Sequence, residues 1–230
     1  DPVEAPDGSI WWAGQWADLA GRVDPATGET TEFPLPAGSR PHTVTADMHG
    51  NIWYTGNGNG TMGMLDPATG EVTVHPMPDT SATDPHSAIV DARGTVWFTL
   101  QRSNMIGRLD PDSGEVNLVT APVAGSRPYG IKLNSQGVPW VAANGSNRLY
   151  RVDPDTMEIT QFELPDPRTT VRRLAFAGDD TIWYVNSSLG RLGHLDPATG
   201  HVREWDSPSG AGSHPYAIAV IDGIVWYNES

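Results

Sequence analysis

The sequence predicts an all-β fold assembled from one repeated sheet, and three observations carry that prediction. Trp11, Trp53, Trp97, Trp140, Trp183 and Trp226 recur at intervals of 42, 44, 43, 43 and 43 residues. A second marker keeps the same period: Asp24-Pro25-Ala26-Thr27-Gly28, Asp66-Pro67-Ala68-Thr69-Gly70, Asp110-Pro111-Asp112-Ser113-Gly114, Asp153-Pro154-Asp155-Thr156-Met157 and Asp196-Pro197-Ala198-Thr199-Gly200. No segment sustains a 3.6-residue apolar period, so long helices are not expected. Two markers in phase identify an internal repeat. Four short strands in each period of this length are the pattern of a β-propeller.

Each element of the unit has a local reason, shown by residues 40–77. His42–Ala46 is a short run entering the core, and Asn51–Thr55 is rich in aromatic and β-branched residues. Met62–Leu65 and Val72–His75 flank the Asp-Pro-Ala-Thr-Gly marker. Asp, Pro and Gly at those positions suit a type I turn closed by a glycine at positive φ, which makes a hairpin. A turn precedes each repeated tryptophan, as in Gly50-Asn51-Ile52 and Gly94-Thr95-Val96. One four-stranded sheet cannot bury both faces, whereas radial stacking lets each sheet cover its neighbour. The tryptophans are expected between sheets, where an indole buries a large area. Five full units run from Trp11 to Trp226, with a partial unit at each end. The expectation is one propeller domain over residues 1–230, part of a seven-bladed ring lacking one to two C-terminal blades. A closed five-bladed ring with a spare half-blade is the alternative.

Composition narrows the function. A net charge of −14 argues against a nucleic-acid binder that tracks phosphates and against an anchor on anionic membrane. No apolar run reaches the roughly 18 residues of a membrane span. Cysteine is absent, which excludes disulfides, thiolate catalysis and zinc–thiolate sites. The compartment stays open, with the periplasm or the exterior favoured over the cytoplasm. A monomer is expected.

In a propeller, the loops before the innermost strand and after the second strand lie at one mouth of the channel. The first loop carries Arg40-Pro41-His42, Asp84-Pro85-His86, Arg127-Pro128-Tyr129, Val171-Arg172-Arg173 and His214-Pro215-Tyr216. The second carries Asn57, Gln101, Asn144, Asn186 and Glu229. Residues two apart in an extended segment point the same way. Arg40 with His42, Asp84 with His86, and Arg127 with Tyr129 should then project together, with proline fixing φ between them. Arg40, His42, Asn57, Arg127, Tyr129, Arg172 and Tyr216 would line a central pocket for a small-molecule or peptide ligand, anionic or rich in carbonyls.

The repeat, with its Arg-Pro-His, Gly-x-Ile-Trp-Tyr and Gly-x-Leu-Asp features, resembles the streptogramin B lyases (virginiamycin B lyase family), which are seven-bladed propellers. The resemblance covers essentially the whole chain. It implies a magnesium-dependent enzyme that opens a cyclic depsipeptide antibiotic by elimination at its ester linkage, without hydrolysis. The family uses an Arg-Pro-His in one blade, a Glu-Pro-His in the next, and a glutamate four residues after that second blade's tryptophan. On this sequence His42 matches the substrate-contacting histidine, His86 the general base, and Asp84 and Gln101 the two glutamates at the metal. The match assumes a shifted start around the ring. Aspartate is one methylene shorter than glutamate, and neutral Gln101 leaves magnesium with one anionic partner instead of two. The implied mechanism has magnesium polarise a substrate carbonyl, His86 remove the acidified proton, and the ester carboxylate leave. Asp84 would hold the metal or orient His86.

Other readings of the same residues stand beside this one. A Pro-His at a strand start can cap a neighbouring loop, and Asp84 can cap a turn. Arg172-Arg173 can be a solvated pair or an anion clamp. His49, His75, His194 and His201 fall outside the mouth loops and are expected in solvent. Trp16 and Trp205 are off the repeat register. A non-catalytic propeller that binds a small molecule or protein is the second function class. A lactonase-type hydrolase is the third, although the mouth has few acids for its calcium.

Overall fold

The computed structural model describes residues 2–230, and its regular structure is β-strand except for one 3₁₀ turn at Gly210–Gly212. The chain divides into two compact units, Asp1–Thr120 and Ala121–Ser230.

The first unit contains three four-stranded antiparallel meanders. They are β1 (Val3–Glu4), β2 (Ile10–Gly14), β3 (Leu19–Val23) and β4 (Thr30–Pro34); β5 (Pro41–Ala46), β6 (Ile52–Gly56), β7 (Thr61–Leu65) and β8 (Val72–Pro76); and β9 (Pro85–Val90), β10 (Val96–Leu100), β11 (Met105–Leu109) and β12 (Val116–Thr120). The second unit has two such sheets and a two-stranded one. They are β13 (Pro128–Leu133), β14 (Pro139–Ala143), β15 (Arg148–Val152) and β16 (Ile159–Glu163); β17 (Val171–Phe176), β18 (Ile182–Asn186), β19 (Arg191–Leu195) and β20 (Val202–Asp206); and β21 (Ile218–Ile221) with β22 (Ile224–Tyr227). The strands expected within residues 40–77 all form, with ends within one residue of expectation.

The marker turn behaves as its residues require. Asp66 Oδ1 accepts from Ala68 N at 2.8 Å, Gly70 N donates to the Asp66 carbonyl, and Gly70 closes the turn at φ 77°. Met157, at the glycine position of the fourth copy, is held at φ 61°.

The core explains the tryptophans. Trp53 of the second sheet packs among Val96, Phe98 and Leu109 of the third, and Trp140 packs among Leu174, Ile182 and Tyr184 of the next sheet. The repeated indole therefore lies between sheets at Trp53 and Trp140, where each contributes on the order of 4 kcal/mol of transfer free energy, whereas Trp226 of the two-stranded sheet is 59% exposed. Its N–H is tied to the turn before it. Trp53 Nε1 donates to Asp47 Oδ2 at 3.2 Å, and Trp97 Nε1 to Asp91 Oδ2 at 3.0 Å. Asn134 stands at that position in the fourth sheet, where its Oδ1 accepts from Gln136 N and Val138 N, and Trp140 Nε1 is buried without a hydrogen bond among the described residues.

The residue after the tryptophan shows a second repeated device. Tyr54, Phe98 and Tyr184 face Gly63, Gly107 and Gly193 across the strand pair. A Cβ on Gly63 would lie 2.1 Å from the Tyr54 ring, so the ring rests directly on the partner backbone. In the fourth sheet the order reverses, with Val141 opposite Tyr150. One large and one minimal residue fill the same space either way.

Two expectations need correction. His75 and His194 are not simply solvated: their rings lie 5.7 Å from Trp53 and 4.6 Å from Trp183. Burial lowers the pKa of His75. Trp205 stacks on Trp183 at 5.5 Å, which accounts for an aromatic off the main register.

The feature that positions the site is a β-bulge in the first strand of four of the sheets. Pro41 pairs with Gly56 and Val44 with Tyr54, so His42 and Thr43 together oppose one residue, Thr55. The same shift leaves His86-Ser87, Tyr129-Gly130 and Arg172-Arg173 as the doubled pairs. A bulge bends the strand and re-aims its side chains.

Candidate functional site

In the first unit the bulges of β5 and β9 bring two histidines face to face. The rings of His42 and His86 lie 3.7 Å apart between centroids, tilted by 33°. His42 Nδ1 is 3.0 Å from the carbonyl oxygen of His86. A carbonyl only accepts, so this contact places a proton on His42 Nδ1. Thr55 Oγ1 donates to the same carbonyl at 3.1 Å and accepts from Thr43 N at 3.0 Å. One threonine thus fixes both bulges. Asn57 Nδ2 donates to the Pro85 carbonyl at 3.0 Å, which anchors the start of β9. Two imidazolium charges at the observed ring separation would repel strongly, so the pair favours a state with at least one neutral ring.

Asp84 does not project with His86. Its carboxylate is 1% exposed and turned into the loop after β10. Arg102 N donates to Oδ2 at 2.5 Å, Ser103 N and Oγ donate to Oδ1 at 3.0 and 2.6 Å, and Arg102 Nε lies 3.5 Å from Oδ2. A carboxylate has about four lone-pair sites, and these four groups face them. Gln101, half-buried, opens the loop so latched. Among the described residues no group of three or more His, Cys, Asp or Glu is placed to hold a metal ion. Asp84 and Gln101 as they stand do not fit a magnesium site, because the carboxylate would first have to release the loop.

Arg40 also departs from the expected alternation. Its backbone is left-handed at φ 42°, held by Asp18, which accepts from Arg40 N at 2.7 Å and Gly38 N at 2.8 Å. Those bonds hold the Asp18 carboxyl below its usual range. The Arg40 guanidinium lies 5.5 Å over the exposed Trp16 ring, away from the direction extended geometry implies. Arg127 is left-handed as well, at φ 52°. The i, i+2 rule holds only within extended backbone, and a left-handed residue before proline breaks it.

In the second unit the corresponding strands gather different chemistry. Tyr129 and Tyr216 meet hydroxyl to hydroxyl at 2.8 Å. The Arg172 guanidinium lies 5.8 and 5.3 Å from their ring centroids, and that of Arg173 lies 4.8 and 5.6 Å away. Burial raises the pKa of Tyr216, the hydrogen bond with Tyr129 adds to the rise, and the two arginines oppose it. Tyr129, Arg172 and Tyr216 are therefore brought together. Thr55, Asp18 and Ser103 are participants absent from the sequence-based expectations, and Arg173 was expected only as one of a solvated pair or an anion clamp. The recurring small residue after Pro-His was the signal for the bulge.

The sheets and their repeat define a β-propeller. The chain belongs to the virginiamycin B lyase family, whose model matches residues 3–230. It is similar to the virginiamycin B lyase of Staphylococcus aureus, at 25% identity and a TM-score of 0.90 over 99% of this chain and 76% of that one. A streptogramin B lyase matches at 26% identity and a TM-score of 0.90, over 99% and 75% of the two chains. A catalytically inactive variant of the Staphylococcus aureus enzyme, solved with quinupristin, shares the fold at 23% identity and a TM-score of 0.89, over 99% and 76%. No curated protein matches the chain.

Proposed function

We propose that the chain is a carbon–oxygen lyase that opens an ester linkage of a cyclic depsipeptide or a related ester by elimination. The observation that carries this reading is the close, tilted His42–His86 pair, with His42 Nδ1 and Thr55 Oγ1 converging on the His86 carbonyl. A fixed neutral imidazole is the group that general-base chemistry needs. His86 takes a proton from the carbon next to the one bearing the ester oxygen. The electron pair forms a carbon–carbon double bond, the C–O bond breaks, and the carboxylate leaves. No water is consumed. His42 orients the base and contacts the substrate. Family membership supports this reading, as do the two lyases similar at 25% and 26% identity. No step is assigned to magnesium, since the Asp84 carboxylate is committed to its loop.

Incubation with quinupristin followed by mass spectrometry tests the proposal. Elimination linearises the ring without changing its mass, whereas hydrolysis adds one water. An isomeric linear product is expected; a product heavier by water overturns the lyase reading in favour of a hydrolase. The latched Asp84 favours a second reading, a non-catalytic propeller that binds a small molecule or partner. Calorimetric binding of quinupristin with no turnover would select it.

A further inference from the structure

The inner strands of the second unit hold a concentration of positive charge that the proton chemistry proposed above does not use. Arg173 occupies the second place of its bulge, where the other bulges carry Thr43, Ser87 and Gly130. Large charge replaces small and neutral at one equivalent position. The neighbouring strand accommodates it: a Cβ on Gly130 would stand 2.5 Å from the Arg172 carbonyl and 3.2 Å from Arg173 Cδ. Lys132, the single lysine of the chain, pairs with Trp140. Its equivalents opposite the other tryptophans are Thr45, Ile89 and Ala175. Lys132 keeps access to solvent, yet it stands deep enough among protein atoms that burial lowers its ammonium, with the Arg173 charge adding to the effect. Arg173 and Lys132 stand at positions that are uncharged in the other three bulged sheets, in a chain of net charge −14.

We propose that Arg172, Arg173 and Lys132, walled by Tyr129 and Tyr216, form a binding site for the carboxylate of a small planar ligand. Every charged group of the cluster is a donor without acceptor capacity, so the complement is an acceptor-only anion. A carboxylate presents two oxygens in one plane to the guanidinium fork. The two phenol rings favour a flat ligand over a tetrahedral phosphate. Cation–π contact with both rings holds the guanidiniums in place before a ligand arrives. The inference is independent of the elimination reading, because it concerns binding of an anion alone.

The test titrates sodium benzoate, and separately inorganic phosphate, into the intact chain by calorimetry at constant ionic strength, with chloride as the balancing salt. Benzoate is expected to bind saturably and to raise the melting temperature as mass action requires. Arg172→Gln, at a half-exposed position outside the hydrophobic clusters, should weaken benzoate by about tenfold or more, as loss of a bidentate guanidinium does. Gly130→Ala should weaken it through displacement of Arg173. Arg173→Met should abolish it; if that variant fails to fold, Arg172→Gln decides. Absence of saturable benzoate binding, or equal binding by Arg172→Gln, overturns the site. Tighter binding of phosphate than of benzoate overturns the carboxylate assignment.

Discussion

The first strands of the two units are built on the same bulge and carry opposite chemistry. In the first unit the doubled positions are His42-Thr43 and His86-Ser87, and the bulges are tied down by the Thr55 hydroxyl. In the second they are Tyr129-Gly130 and Arg172-Arg173, opposite Ala142 and Val185, which have no hydroxyl to offer. Two imidazoles stand in contact in one unit, and two guanidiniums over a pair of phenol rings stand in the other. Backbone geometry sets where a side chain goes. Residue identity at two adjacent positions sets what it does there.

The largest effect expected from breaking this contrast is on turnover. His86→Ala should lower the rate by about 10²–10⁴-fold, the usual contribution of a positioned base, while the melting temperature stays within a few degrees. Unchanged turnover would remove the first unit's assigned role. Next is Asp84→Ala, which strips a buried carboxylate from Arg102 N, Ser103 N and Ser103 Oγ. A loss of about 2–3 kcal/mol in urea unfolding is expected. Wild-type stability in that variant would mean the latch is idle and would reopen Asp84 to a metal. Thr55→Val should reduce turnover by roughly tenfold and stability by about 1 kcal/mol. It removes the bonds to Thr43 N and the His86 carbonyl without touching either imidazole. A pH–rate profile distinguishes loss of positioning from mere destabilisation.

The smallest effects compare two tyrosines at one place in the repeat. Tyr184 Oη donates to Glu204 Oε1 at 2.9 Å, whereas Tyr54 Oη is buried without a hydrogen bond among the described residues. Tyr184→Phe should cost about 1 kcal/mol and Tyr54→Phe roughly nothing at neutral pH. Burial pushes the Tyr54 phenol from 10.0 up to about 12. A folded value above the unfolded one gives stability that is present below pH 10.0 and is lost as pH rises toward about 12. Alkaline melts of Tyr54→Phe should therefore fall less steeply than those of the wild type.

Much of the fold was legible because it rests on local chemistry repeated in phase. The Trp53 and Trp97 copies needed only a turn and a hydrophobic neighbour, and the Asp66–Gly70 turn needed only its own residues. Tyr129, Arg172 and Tyr216 were expected among seven residues of one pocket, without the pairing that the side chains adopt. The directions of Arg40 and Asp84 were not legible. Arg40 is set by a left-handed φ that Asp18, far away in sequence, holds in place. Asp84 answers to backbone donors in the next loop of its own sheet. Both depend on partners that no alternation rule specifies. The bulge itself was hidden, because its sign in the sequence is only a small residue after Pro-His, and Arg173 breaks even that pattern.

The bulge has a further consequence for how such a protein can change. It absorbs its extra residue within one strand, and the pairing with the next strand resumes at Val44, Ala88, Ile131 and Leu174. Two neighbouring codons in each of these four sheets can therefore be exchanged with little disturbance to the tryptophans, the hairpin turns or the outer strands. The repeat works as a set of interchangeable sockets, and ligand preference can be retuned one sheet at a time on an unaltered frame.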